Sequence, residues 1–198
     1  MLKFDEKDHI YTWNGTRVPS PTGVLSDQGV IDYSQIPEPI RTEALARGNR
    51  VHKAIMIHCT SIYGVNMDEL FPSDVPFVKA YLKFEDDTGY RPFKRYVERP
   101  GYNKEHGYAG TPDSGGSFPG KRRAVIDFKS GSSEKWVRMQ TAAYQNLDYM
   151  RKMFEGAERY ALTLKADGRY DLSSPFMSPQ DFIDFVLNLE ACKSKSRY

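Results

Sequence analysis

Two acids and a lysine carry the chemistry this sequence offers. Val125-Ile126-Asp127-Phe128-Lys129-Ser130-Gly131 reads as a strand. Side chains alternate across a strand, so Asp127 and Lys129 share one face while Ile126 and Phe128 point the other way, into a core. Upstream, Gly110-Thr111-Pro112-Asp113 brings a second carboxylate beside a tight turn. Carboxylate oxygens suit Mg²⁺ or Mn²⁺. A neighbouring lysine can orient or deprotonate a water, or neutralise charge on a phosphate. Together these groups suit metal-assisted phosphodiester hydrolysis. The plainer alternative is a strand whose outward face carries a solvated Asp–Lys pair, and the rest of the chain decides between them.

The elements that must position these groups follow from periodicity. His9–Trp13 and Thr16–Val18 around Asn14-Gly15 predict a β-hairpin, and Ser20 or Thr22 caps a short helix through Val24 and Leu25. From about Glu38 to Cys59 the spacing is helical, with Leu45, Gly48, His52, Ile55 and Cys59 on one stripe. A histidine there is ordinarily a satisfied core residue. Gly48 costs roughly 1 kcal/mol against Ala inside a helix, which points to a close approach by a backbone or ligand. After a loop, Tyr63 to Pro72, a second helix runs from Asp74 to Thr88 and ends at Gly89.

Phe93–Glu98 and Tyr108–Asp113 read as strands, and Ser114–Gly120 as a flexible, glycine-rich hairpin loop. Beyond the central strand the pattern predicts one long helix, about Glu134 to Phe154, capped by Ser132 or Ser133. Its apolar stripe, Trp136, Ala143, Leu147, Met150 and Phe154, is interrupted by Gln140, with Tyr144 one turn later. A buried Gln needs a partner: the sheet, or a phosphate, a base or the lysine. Tyr160–Leu164 and the stretch near Tyr170–Leu172 form a last strand pair, and a helix from about Pro179 to Leu189 closes the chain, with a frayed polar tail.

At 198 residues the chain reads as a single domain: hairpin and helices over 1–90, a core over 91–165, a C-terminal helix and tail over 174–198. The net charge is only +2, so positive charge is clustered, at Arg41, Arg47, Arg50 and Lys53, at Lys94, Arg95 and Arg99, at Lys121, Arg122 and Arg123, and at Lys193, Lys195 and Arg197. Such clusters fit a phosphate-bearing partner, or simply a solvated surface. The two cysteines, Cys59 and Cys192, exclude a four-thiolate zinc or iron–sulfur site within the chain and suit a reducing, cytoplasmic compartment. The sequence has neither a long apolar run nor a signal-peptide pattern.

In order, the chain therefore offers a helix with a central His, a strand ending in Glu98, Gly-Thr-Pro-Asp, Asp-Phe-Lys, and a helix with Gln-x-x-x-Tyr. This resembles the PD-(D/E)XK nuclease superfamily, in particular its RecB-like, phage exonuclease branch, over roughly residues 41–165. The resemblance implies an α/β, restriction-endonuclease-like core: a mixed central sheet flanked by helices, preceded by the N-terminal hairpin. It implies that Asp113 and Asp127 hold the metal with His52, the Phe128 carbonyl and Glu98. It implies that Lys129 is the catalytic lysine, with Gln140 and Tyr144 beside it. The expected cofactor is Mg²⁺ or Mn²⁺, without an iron–sulfur cluster. The expected function is an exonuclease acting from DNA ends, in phage or mobile-element recombination or DNA processing, in a bacterial or phage-infected cell. DNA is the expected partner, contacted by Arg47, Arg50, Lys121, Arg122 and Arg123. A single-strand annealing or other recombination protein is the expected protein partner, and no membrane is involved. Arg47 has the alternative of pairing with Glu43. The competing readings are a structure-selective or restriction-like endonuclease, a non-catalytic DNA-binding module, and a zinc protein using His52, His58, Cys59 and His106.

Overall fold

In the computed structural model, which describes residues 1–131 and 135–195, the chain is α/β. Three short strands, β1 (Leu2–Asp5), β2 (Ile10–Trp13) and β3 (Thr16–Val18), form an antiparallel N-terminal sheet. The β2–β3 turn is Asn14-Gly15, both at positive φ, as a two-residue hairpin turn requires. Ser20 caps α1 (Pro21–Asp27): its Oγ accepts from Gly23 N at 3.2 Å, and Pro21 supplies a first-turn residue that needs no donor.

The central sheet is mixed, in the order β10 (Tyr170–Leu172), β9 (Glu158–Leu164), β8 (Arg122–Lys129), β7 (Ser114–Phe118), β4 (Arg91–Val97). Among the described residues only β8 and β9 pair in parallel, with Asp127 opposite Ala161. A small pair, β5 (Gly101–Asn103) and β6 (Tyr108–Gly110), stands apart. Helices α2 (Glu38–Thr60) and α3 (Val75–Thr88) cover one face, where Val51, Ile55, Phe84, Ile126, Phe128 and Leu162 form a core. Helices α1, α4 (Val137–Gln145), α5 (Asp148–Phe154) and α6 (Gln180–Lys195) cover the other, around Val24, Val125, Ala143, Phe154, Ala161 and Phe185.

Five expectations need correction. Ser114–Phe118 is no flexible loop but β7, an interior strand; the hairpin turn is Pro119–Lys121. Its glycines are steric: a Cβ on Gly115 would fall 2.6 Å from Phe154 Cζ, and one on Gly116 would overlap the Arg91 carbonyl oxygen. Thr111–Asp113 lies outside β6, which ends at Gly110.

The long helix is two. Asn103 Nδ2 donates to the Asn146 carbonyl at 2.6 Å, drawing it out of the helical ladder, and Leu147 is extended at ψ 142° before α5 restarts. The apolar stripe nonetheless stays buried through Trp136, Gln140, Ala143, Leu147, Met150 and Phe154. The caps expected at Ser132 or Ser133, the start at Glu134, and Arg197 lie outside the described residues.

Leu45 is exposed because the 23 residues of α2 span about 34 Å at 1.5 Å each, longer than the strand beneath, so burial begins at Val51. Nor does Gly48 serve a close approach, since a Cβ there would meet Ser130 Oγ at 3.6 Å, an ordinary contact. Gly48→Ala should therefore stabilise the protein by up to about 1 kcal/mol. Urea unfolding checks this; destabilisation would mean that something else needs the space.

Candidate functional site

The site lies where β8 ends beside α2 and the turn after β6. Three side chains converge there: His52 from α2, Glu98 just beyond β4, and Asp113 just before β7. Each offers one ligand atom, and these atoms lie within 4.8 Å of one another. His52 Nδ1 is 3.0 Å from Glu98 Oε1 and 3.6 Å from Asp113 Oδ1. Its Nε2 is 3.2 Å from the Phe128 carbonyl oxygen, and the Phe128 N–H donates to Asp113 Oδ2 at 2.5 Å. Phe128 thus ties α2 and the Asp113 turn to β8 while its ring fills the core.

Glu98 reaches this point through a strained backbone. Its φ is +45°, a region that costs a non-glycine residue about 1–3 kcal/mol. The strain follows an irregularity in β4–β7 pairing between Pro92 and Val97, and the Glu98 N–H donates to the Asp113 carbonyl at 3.1 Å. The two carboxylate-bearing segments are therefore bonded to each other directly.

Asp127 and Lys129 share a face, as strand alternation predicts, and meet as an ion pair at 2.7 Å. Among the described residues the ammonium is the one polar partner of the buried Asp127 Oδ2. Lys129 Nζ donates to Gln140 Oε1 at 3.2 Å and lies 4.8 Å from the centre of the Trp136 ring. An ammonium only donates, so it fixes the Gln140 amide orientation. Gln140 Nε2 then faces Tyr144 Oη at 2.9 Å and Thr22 Oγ1 at 3.2 Å. The buried glutamine is thus fully occupied. Thr22 and Trp136 were not among the expected site residues. Thr22 lies 118 positions before Gln140, beyond any local spacing, while Trp136 reads as an ordinary apolar residue of the stripe.

Crowding of acids moves the proton affinities. Burial, with Asp127 and Glu98 nearby, pushes Asp113 up to about 8 against the pull of His52. Burial would lower His52, but Asp113 and Glu98 outweigh it and carry the imidazole up to about 9. Burial likewise opposes the Lys129 charge, yet Asp127 and Asp113 hold it above the ordinary lysine value, so it remains an ammonium at neutral pH.

Asp113 and His52 therefore keep protons that the unfolded chain, with ordinary values of 3.8 and 6.5, gives up sooner. Folded values raised above unfolded ones give stability that is full below the unfolded value and is lost as pH rises through the folded one. Without metal, the melting temperature should fall between pH 7 and 9, and Asp113→Asn should flatten that slope. A melting temperature that holds or rises over this interval in EDTA would contradict the assignment.

No family profile matches this chain, and no curated protein matches it either. The donor set itself fits a hard divalent cation: two carboxylates and one imidazole, with the Asp127 carboxylate close enough to act on Asp113 and His52. The alternative zinc grouping does not assemble. His58 pairs with Glu85 at 2.7 Å, Cys59 Sγ contacts Tyr81 Oη at 3.2 Å, and His106 packs on Phe182. Among the described residues no helix is long and apolar enough to cross a membrane.

Of the expected DNA contacts, Arg47 reaches the site end of β8, at the residue after Lys129, while Arg50, Arg122 and Arg123 are engaged elsewhere. Arg50 is held by Asp74 at 2.6 and 3.0 Å and reaches Glu43 at 3.3 Å, so it, rather than Arg47, takes that acid. Arg47 donates to the Ser130 carbonyl at 3.2 Å and lies over the Phe77 ring. Arg122 pairs with Glu158, and Arg123 donates to the Met153 carbonyl. Arg122 and Arg123 sit at the opposite end of β8 from Lys129, about 20–23 Å away at ~3.3 Å per residue, and Lys121 precedes them in the turn.

Proposed function

We propose that the protein is a Mg²⁺- or Mn²⁺-dependent deoxyribonuclease on a PD-(D/E)XK core, digesting linear DNA from its ends in phage or mobile-element recombination or DNA processing. One observation carries this reading. A lysine locked by Asp127 and Gln140 stands beside the His52–Glu98–Asp113 cluster, and the buried Asp127 oxygen that pairs with it has no other partner among the described residues. Asp113, Asp127 and Glu98, with His52 and the Phe128 carbonyl, would hold the cation. Once bound, the ion offsets phosphate charge and lowers the pKa of its water.

The chain's own residues do the rest. Lys129, kept an ammonium above all by the Asp127 carboxylate, places fixed positive charge where negative charge develops on the phosphate. That favours the charge-neutralising role for Lys129 over water deprotonation. Gln140 holds the ammonium in place, and Tyr144 and Thr22 hold Gln140. Before a cation binds, His52 braces Glu98 and the Phe128 carbonyl with its two ring nitrogens, and a ligand role releases one of these bonds.

The test of end-dependence uses equal amounts of linear and covalently closed plasmid with protein and Mg²⁺, at low and moderate salt. Loss of the linear form alone, weakening as salt rises, is expected. Equal attack on the closed circle would replace the exonuclease with an endonuclease on the same core.

A further inference from the structure

The cations of this chain fall into two kinds. Many are cancelled by a carboxylate, as with Arg50 and Asp74, Arg122 and Glu158, Arg138 and Asp181, or Lys165 and Asp171. Edge strand β4 is different. Arg91, Lys94 and Arg95 are exposed along it and Arg99 follows it. None of these four has a carboxylate at ion-pair distance among the described residues.

Two of them are nevertheless held in place. The Arg95 guanidinium carbon lies 5.5 Å from the Tyr96 ring centre, and that of Arg99 lies 4.6 Å from the Tyr149 ring centre. The two rings stack on each other at 5.8 Å and 13°. Tyr149 Oη donates to the Arg99 carbonyl at 2.6 Å, and Tyr96 is anchored against Phe154 in the core. A ring face steadies a guanidinium without cancelling its charge or using its N–H donors, whereas a carboxylate does both. The ladder Arg95–Tyr96–Tyr149–Arg99 is therefore a rigid mount for two unspent guanidinium forks. Arg99 directly follows Glu98, so the mount adjoins the candidate metal centre. Lys94 and Arg91 extend it back along the sheet edge, where β4 from Arg91 to Val97 spans at most about 20 Å at ~3.3 Å per residue.

We infer that Arg95 and Arg99, carried on the Tyr96–Tyr149 stack, clamp the DNA phosphate backbone and lead it to the site, with Lys94 and Arg91 continuing the track. Delivery to the site rests on the nuclease reading; the clamp itself does not. Phosphate contacts of this kind give affinity without sequence preference.

The test is fluorescence anisotropy of a labelled linear duplex in EDTA, where binding is read without cleavage, between 50 and 200 mM salt. Arg95→Gln/Arg99→Gln should weaken binding about ten-fold or more. It should also make the slope of log affinity against log salt shallower by about 1.8, at ~0.9 per phosphate contact. Lys165→Gln/Arg169→Gln, which removes the same charge from the opposite sheet edge, should change affinity less than two-fold. Arg95→Lys/Arg99→Lys keeps the charge and should keep the wild-type slope, which guards against an effect of misfolding. Wild-type affinity and slope in Arg95→Gln/Arg99→Gln would overturn the clamp, as would an equal loss in the opposite-edge control. Clamp-dependent binding by a protein that never cleaves with Mg²⁺ would remove the nuclease reading and leave the clamp standing.

Discussion

Lys129→Ala and Asp127→Ala are each expected to lower Mg²⁺-dependent DNA hydrolysis about 10³-fold, the scale seen when one preorganised charge is removed from a reacting centre. Binding of the same DNA in EDTA should stay within a few-fold of wild type. The two residues form one ion pair at 2.7 Å, and Asp113 adds to the field that keeps Lys129 charged. They should act as one unit, so the double variant should be scarcely slower than either single one. Gln140→Leu removes the acceptor that holds Nζ at 3.2 Å and should be slower than wild type but faster than Lys129→Ala. Single-turnover hydrolysis of end-labelled duplex measures all four. Near-wild-type cleavage by Lys129→Ala would sink the assignment of roles.

The largest effect on stability is expected far from the site. Arg159 is buried on β9 and donates to Asp181 Oδ2 at 2.8 Å, the Ser178 carbonyl at 3.0 Å and the Arg138 carbonyl at 2.9 Å. Asp181 also takes Arg138 at 2.6 Å, so it joins α6 to both α4 and the sheet. Burial already pulls the Arg159 guanidinium below its usual value. Asp181→Ala strands that buried charge and should cost about 3–5 kcal/mol. Asp184→Ala removes only a partly exposed partner of Arg138 and should cost less than about 1 kcal/mol. Replacing both buried partners, as in Arg159→Met/Asp181→Leu, should recover much of the loss. Urea unfolding of the three variants decides; a small effect from Asp181→Ala would mean that the Arg138 and Ser178 carbonyls alone suffice for Arg159.

How much of this was legible in the sequence depended on the range of each interaction. The shared face of Asp127 and Lys129 follows from the two-residue period of a strand, and the N-terminal turn from Asn-Gly. The buried stripe of α4 and α5 was legible at helical spacing, but the break inside it was not. That break depends on Asn103, which lies 43 positions earlier and takes the Asn146 carbonyl. Strand β7 was missed because Ser-Gly-Gly-Ser has weak strand preference, and its glycines answer to Phe154 and Arg91, which only the tertiary fold brings there. The placement of arginines was least legible of all. Composition marks Arg50, Arg95, Arg99 and Arg122 alike as basic, and only the fold shows that two meet carboxylates while two rest on tyrosine rings.

The most direct test of the central claim is the release of acid-soluble nucleotides from uniformly labelled linear duplex by purified protein, with Mg²⁺ and with EDTA, alongside Asp127→Asn. This substitution keeps the shape of the side chain beside Lys129, removes its charge and exchanges one acceptor oxygen for an NH₂ donor. Steady release that requires Mg²⁺ and is lost in Asp127→Asn is the predicted result. Release that persists in EDTA, or that proceeds equally well in Asp127→Asn, would contradict the account.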